Sequence, residues 1–236
     1  MKYLIKGDSD CPLMEVSLAQ GESITLKSGS MVYMKDVELT GNLNSKEKGF
    51  GGLLSAIGRS IVSDESMFIT TATGLSAESI VGIAPPIPGK IHRLSVSEYQ
   101  QYCLNTGSFV CCDQSVSYEL RSQSLGKALF GGTGGFFVME TVGSGDIFVS
   151  SYGDIMELEV NDENPLVIDN EHVVAWDSSL EYKIEIASGT LGIMSGEGLV
   201  NRFSGNGKIL IQSRNIHALA DALRPYLPTA NTPSKN

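Results

Sequence analysis

The chain has 236 residues, with 27 acidic against 17 basic side chains and a formal net charge of −10. Because nucleic-acid binding depends on cationic side chains that neutralise phosphates, this balance predicts no nucleic-acid partner. The sequence contains no signal peptide, no apolar run of about 18 residues and no lipidation motif, so we expect a cytoplasmic protein.

Residues 1–90 form the first of three predicted β-repeats. The stretch at 24–39 aligns with a second copy 78 residues further along the chain, where GSMV (29–32) lies under GSFV (107–110). The first repeat is nine residues longer than the second between positions 39 and 68. The extra length indicates an insertion within one β-unit.

An amphipathic insert at 46–62 occupies that extra length. In GFGGLLSAIGRSIV (49–62), large apolar residues follow helical spacing, while Gly51, Gly52 and Gly58 each weaken a helix by about 1 kcal/mol relative to alanine. The insert either packs on its own β-core or docks on a protein partner or a peripheral membrane surface. The candidate interaction residues are Phe50, Leu53, Leu54, Ile57 and Ile61.

Residues 91–152 and 153–214 are the second and third predicted repeats. YCLNTGSFVCCDQSVSYEL (102–120) aligns with LVIDNEHVVAWDSSLEYKI (166–184) at an offset of 64, and Asp113 matches Asp177. Alternation with period two indicates strands with one buried face, and the recurring aspartate indicates a shared role in a turn. Each copy is expected to bury its apolar face on the next, so the three repeats form one composite domain.

The pattern becomes helical only at 215–228. Ile216, Leu219 and Leu223 fall on one helical face, Asn215 is the predicted N-cap, and Pro225 is expected to end the helix. We predict a disordered tail at 229–236.

The sequence contains no recognisable catalytic or metal-binding motif. The three histidines lie far apart and in no HxH, HxxxH or HExxH pattern. No GxSxG motif is present, and GGTGG (131–135) lacks the GK[ST] of a phosphate loop. We therefore predict no catalytic residues, no metal site and no cofactor. Cys103, Cys111 and Cys112 are interpreted as small apolar core residues in a reducing compartment.

Five segments together resemble a known family over nearly the whole chain, from residue 1 to about residue 228. They are LMEVSLAQGESITLKSGSMVYM, PGKIHRLSV, GSGDIFVSSYGDI, HVVAWDSSLEY and GEGLVNRFSGNGKILIQSR. Their order is similar to that of the AIM-type mitochondrial biogenesis family and its bacterial relatives, long described as a domain of unknown function. The resemblance implies a tandem triplication of a small β-sandwich unit like that of the tryptophan RNA-binding attenuation protein.

These features predict an all-β fold in which three units adopt a pseudo-threefold arrangement, followed by one C-terminal helix. They favour a non-catalytic scaffold or protein-interaction protein. The alternative is a small-molecule-binding protein or an unrecognised enzyme with a pocket between repeats. Because a three-unit array leaves β-edges and apolar surface at its ends, we also expect a homo-oligomer.

Overall fold

The structure is a computed structural model that describes residues 1–7, 10–43, 68–123, 136–188 and 199–227. These residues form nineteen β-strands and one α-helix near the C-terminus. The predicted all-β class with a single C-terminal helix is confirmed for the described part of the chain.

After an initial strand, β1 (Lys2–Lys6), the described strands fall into three runs of six. The first run is β2 (Leu13–Leu18), β3 (Ser23–Lys27), β4 (Met31–Lys35), β5 (Val37–Leu43), β6 (Phe68–Gly74) and β7 (Ser79–Ile83). The second is β8 (Ile91–Val96), β9 (Tyr102–Asn105), β10 (Phe109–Asp113), β11 (Val116–Gln123), β12 (Phe136–Gly143) and β13 (Gly145–Ser150). The third is β14 (Ile155–Val160), β15 (Leu166–Asp169), β16 (Val173–Asp177), β17 (Glu181–Ser188), β18 (Leu199–Ser204) and β19 (Gly207–Gln212).

The strands of each run pair in the same order. The first, sixth and third strands are neighbours in one sheet, and the second, fifth and fourth are neighbours in another. This produces four sheets, with the orders β1-β2-β7-β4, β5-β6-β3-β10-β13-β8, β11-β12-β9-β16-β19-β14 and β15-β18-β17. The antiparallel pairs β3–β10 and β9–β16 join one run to the next. The pseudo-threefold arrangement of the units stays a prediction.

Apolar side chains fill the spaces between successive sheets in three clusters. Cys111 and Cys112 illustrate the arrangement, because consecutive residues of β10 face opposite sides of its sheet and belong to different clusters. Ile147 and Phe148 of β13 likewise face opposite sides, and both are buried. Continuous apolar runs are therefore strands covered on both faces, as the sequence pattern predicts.

Two aspartates link equivalent turns at the ends of paired strands, β10 with β13 and β16 with β19. The Asp113 carboxylate accepts a hydrogen bond from the backbone N–H of Asp146 at 2.7 Å, and that of Asp177 accepts one from Lys208 at 2.8 Å. Gly145 has φ +145°, and a Cβ there would lie 2.9 Å from the Asp113 Oδ2 atom. The shared turn role predicted for the two aspartates is confirmed.

The helix α1 (Ile216–Leu223) follows the last strand. Asn215 is its N-cap, since its Oδ1 atom accepts a hydrogen bond from the Ala218 N–H at 2.6 Å. A short 3₁₀ turn that contains Pro225 comes directly after the helix. The apolar residues Ile216 and Leu223 are exposed. Among the described helices, none has the length and apolar character needed to span a bilayer.

Candidate functional site

The five candidate residues of the amphipathic insert, Phe50, Leu53, Leu54, Ile57 and Ile61, lie outside the described residues. Their packing on the β-core, on a partner or on a membrane surface stays a prediction. Among the described residues, the candidate sites are the two ends of the strand array and a cavity between the second and third runs.

The first end of the array is β4, which pairs with β7 on one side only in the described part of the chain. Its side chains are unusually apolar for a free sheet edge. Val32 is 55% exposed, Met34 is 47% exposed, and Tyr33 is also exposed. A free edge with large apolar side chains is a template for adding another strand.

The second end of the array is β15, which pairs with β18 on one side, where Val167 lies opposite Arg202. No strand among the described residues pairs with its other side. Val167 is 48% exposed, although Ile168 beside it is nearly buried. In the described part of the chain, the array therefore ends on each side in a strand with one unpaired edge.

The strand pairs β3–β10 and β9–β16, which connect one run to the next, are the internal joints of the array. They show which strands correspond to β4 and β15. In the first joint Cys112 of β10 lies opposite Thr25 of β3, and in the second Trp176 of β16 lies opposite Cys103 of β9. By position in the run, β4 corresponds to β10 and β16, while β15 corresponds to β3 and β9.

A shared irregularity supports this correspondence. The pairing of β4 with β7 shifts register between Met31 and Tyr33. The same shift occurs between Phe109 and Cys111 of β10, and at the matching position of β16. Since a bulge bends the strand that carries it, all three strands carry the same local distortion.

A cavity of about 610 Å³ lies between the second and third runs of strands. Its apolar wall includes Leu94, Ala175, Trp176 and Leu210. Its polar wall includes Gln100, Glu157, Glu159, Asp177 and Lys208. Carboxylates outnumber cationic groups among these lining residues, which makes the wall acidic.

Hydrogen bonds order the polar wall of this cavity. Gln100 donates from Nε2 to the Asp177 carboxylate at 2.6 Å, and the Lys208 ammonium lies 2.7 Å from Glu157. Tyr102 also lines the cavity, and burial followed by the nearby Asp177 charge raises the pKa of its hydroxyl. Glu159 is exposed at the rim.

A smaller cavity of about 230 Å³ lies near the start of α1. His217, in its lining, forms a hydrogen bond with Glu171 through Nδ1. His172 Nδ1 is within hydrogen-bond distance of the Gln212 carbonyl oxygen at 2.7 Å, and its Nε2 atom lies 3.2 Å from Asn215 Nδ2. These contacts attach the beginning of the helix to the last run of strands.

The described residues contain no group of three or more His, Cys, Asp or Glu side chains placed to hold a metal ion. His92 lies in β8, apart from the other two histidines, and burial lowers its pKa. Burial raises the pKa of the Cys103 and Cys112 thiols to about 12 and raises that of Cys111 as well. The thiolate is the reactive form, so burial makes these three thiols poor nucleophiles.

In the part of the chain that the structure describes, these features define an all-β protein with an unpaired strand edge at each end of the array and an acidic cavity between runs of strands. The chain belongs to the family described as Mitochondrial biogenesis AIM24, whose family model matches residues 3–214. The family predicted from the sequence is confirmed.

Two bacterial proteins are similar over almost the whole chain. An uncharacterized protein of Streptococcus pyogenes serotype M6 is 44% identical over 233 residues, which cover 98% of this chain and 93% of that protein. The X-ray crystal structure of a Streptococcus pyogenes protein superposes with a TM-score of 0.76 at 41% identity, covering 96% of this chain and 99% of the other.

Proposed function

We propose that this chain is a non-catalytic scaffold, built as a tandem array of three similar β-units, that assembles with further copies of itself through the two ends of the array. The observation that carries the proposal is a contrast among the described strands: β4 and β15 each have an unpaired edge there, whereas their counterparts at the internal joints are all paired on that side. Main-chain hydrogen bonds along an unpaired edge can bind a strand of a second copy. Such binding requires no catalytic centre.

The internal joints predict the register of the contact between copies. The offsets of 78 and 64 residues that relate the runs place Tyr33 opposite Ile168 and Met34 opposite Val167 of the next copy. Met34 then takes the place of Cys112 and Trp176, which are each 1% exposed at their own joints. The same burial would remove the exposed parts of Met34 and Val167 from water, which contributes roughly 1 kcal/mol for each.

The contact joins two different surfaces, because β4 and β15 are different strands. A head-to-tail contact of this kind closes into a ring or continues as a filament, according to the rotation between copies. The pseudo-threefold arrangement is the special case in which β15 pairs with β4 of the same chain.

The test compares three substitutions of exposed apolar residues by lysine. Met34→Lys and Val167→Lys place a charge at the proposed contact, whereas Met156→Lys makes the same change on β14, another strand at a sheet edge. Light scattering should show a mass above the 25.2 kDa of one chain for the wild type and Met156→Lys. The first two variants should have the mass of a monomer and still unfold in a cooperative thermal transition, which shows that the chain itself is folded.

A wild-type protein that stays monomeric at every concentration would contradict self-assembly. Hydrogen exchange then gives the reason, because slow exchange of β4 and β15 in the monomer would indicate closure within one chain. Fast exchange of both strands would mean that neither edge is used.

We infer that the scaffold is cytoplasmic, because three of its four cysteines are buried thiols that form no disulfide. Disulfides persist mainly in oxidising compartments, so unlinked cysteines suit a reducing one.

A second candidate function is the binding of a small molecule between runs, and the cavity of about 610 Å³ favours it. Ligand pockets commonly have volumes of roughly 300–1,000 Å³. A thermal-shift screen with metabolites tests this candidate, since a ligand at 100 times its dissociation constant stabilises the folded state by about 2.7 kcal/mol. No stabilisation by any class of metabolite would leave the scaffold as the better proposal.

A further inference from the structure

The strand β1 covers a sheet edge that has an uncovered counterpart elsewhere in the molecule. β1 pairs antiparallel with β2, where Tyr3 lies opposite Val16. The Tyr3 ring contacts the ring of Phe148 on the facing sheet, edge to face, with centroids 4.7 Å apart. One added strand thus completes hydrogen bonding at the β2 edge and covers apolar surface on the next sheet.

The second run of strands contains the same arrangement without its cover. β8 corresponds to β2, and no strand in the described part of the chain pairs with its outer edge. Leu94 corresponds to Val16. Val16 pairs with Val81 of β7, and Leu94 pairs with Ile147 at the equivalent position of β13. Leu210 corresponds to Phe148. Leu210 pairs with Ala175 of β16, and Phe148 pairs with Cys111 at the equivalent position of β10.

Leu94 and Leu210 both line the cavity of about 610 Å³. The cavity therefore lies where a strand equivalent to β1 would place the side chain equivalent to Tyr3. It is bordered by a free strand edge, which can bind peptide backbone, and by an apolar wall, which can hold a large side chain.

We propose that this cavity and the β8 edge together form a docking site for an extended peptide segment of a partner protein, which adds antiparallel to β8 as β1 adds to β2. The partner strand places an aromatic side chain between Leu94 and Leu210. The site is separate from the β4 and β15 edges, so its use does not depend on self-assembly.

The charges at the cavity specify the chemistry of the partner. Glu157, Glu159 and Asp177 line it, and the Lys208 ammonium is already paired with Glu157. A partner strand with lysine or arginine two residues from its aromatic residue complements this wall, because residues two apart face the same side of a strand. The sequence KYLIK of β1 lacks that spacing, since its lysines and Tyr3 face opposite sides of the strand.

The probe is therefore a fluorescent peptide with the sequence KLYLK, in which both lysines and the tyrosine share one strand face, tested on the intact chain by anisotropy. Two matched peptides separate the contributions, because KLALK lacks the aromatic ring and ELYLE reverses the charges. A single short strand buries little surface, so we expect transient binding. Each altered peptide should bind at least about tenfold more weakly than KLYLK.

Matched protein variants test the acidic wall. Glu159→Lys changes an exposed rim carboxylate, whereas Glu163→Lys makes the same charge change on an exposed turn outside the cavity lining. Glu159→Lys should weaken KLYLK binding by up to about fivefold, the upper end of the range for exposed ion pairs. Glu163→Lys should bind the peptide as the wild type does.

Hydrogen exchange locates the peptide, which should slow the outward-facing amides of β8. Equal binding of the three peptides, or slowed exchange that leaves β8 unaffected, would overturn the proposal. Strong protection of β8 before any peptide is added would also overturn it, because a segment of this chain or of a second copy would then occupy the edge. Stabilisation by a small molecule without protection of β8 would assign the cavity to that ligand instead.

Discussion

The Asp113 carboxylate links the end of β10 to the start of β13 through its bond to the Asp146 N–H. Replacing Asp113 by alanine leaves that N–H without its acceptor in a partly buried turn. We expect Asp113→Ala to lower the free energy of unfolding by about 1–3 kcal/mol. Asp113→Asn should cost less, because the amide oxygen still accepts a hydrogen bond. Urea denaturation measures both changes.

The matched control for Asp113→Ala is Glu98→Ala, which removes an exposed carboxylate in the same run of strands. Its effect should stay within about 0.5 kcal/mol. If Asp113→Ala were no more harmful than Glu98→Ala, the link between β10 and β13 would not depend on the carboxylate.

The three buried thiols predict how stability changes with pH. The pKa values of Cys103 and Cys112 are raised from the ordinary value of 9.0 to about 12 by burial, and that of Cys111 is raised as well. Between pH 9 and pH 12 the thiols ionise in the unfolded chain but stay protonated in the folded one. Stability is therefore complete below about pH 9 and falls as the pH rises toward 12, by up to about 1.4 kcal/mol per pH unit for each thiol.

Melting temperature measured across this range checks the prediction. Cys112→Ala should show a shallower fall with pH than the wild type, because one ionisable group is missing, whatever its effect on stability at neutral pH. Parallel curves for the two proteins would show that ionisation of Cys112 does not contribute.

At the level of single residues, the sequence predicts roles that are repeated or local. Asp113 and Asp177 recur at one position of the repeat, so the sequence alone predicts a role in a turn for both. Cys103 aligns with an apolar residue, Val167, and was correctly assigned to the core. The lining of the cavity had no such signal, because Leu94, Glu159 and Leu210 meet only through the packing of separate strands.

The C-terminal helix is stabilised at its first turn by one side chain. It has few contacts with the sheets, and Asn215 supplies its N-cap. We expect Asn215→Ala to weaken the helix by about 1 kcal/mol, which should speed hydrogen exchange of α1 roughly fivefold. Asn215→Asp retains the cap and serves as the control. Exchange as slow as in the wild type would mean that the cap is dispensable.

Strand positions and their order could largely be predicted from the alternation of apolar residues and from the alignment of the copies. The pairing of β1 could not, because β1 has no copy in the later runs and KYLIK shows no clear alternation. The alignment did place Tyr33, Met34 and Lys35 under Cys111, Cys112 and Asp113, which identifies β4 as the counterpart of β10. The missing information was which strand each copy pairs with.

At the scale of the molecule, the three clusters and four sheets form a series in which each joint uses the same two strand positions. Such a series has two complementary ends, whatever lies between them. Length, charge and motif content did not reveal this property, since it follows from the pairing order. It leads to a prediction that distinguishes a head-to-tail contact from a contact between identical surfaces.

Met34→Lys blocks β4 but leaves β15 intact, and Val167→Lys blocks β15 but leaves β4 intact. Alone, neither variant should self-associate, because each contact needs one strand of each kind. An equimolar mixture should form a one-to-one complex of about twice 25.2 kDa and nothing larger, since both outer edges of that complex carry the blocking lysine. If β4 instead paired with β4 of another copy, Val167→Lys would dimerise by itself and the mixture would gain no new species. Light scattering of the two variants, separately and mixed, decides between these arrangements.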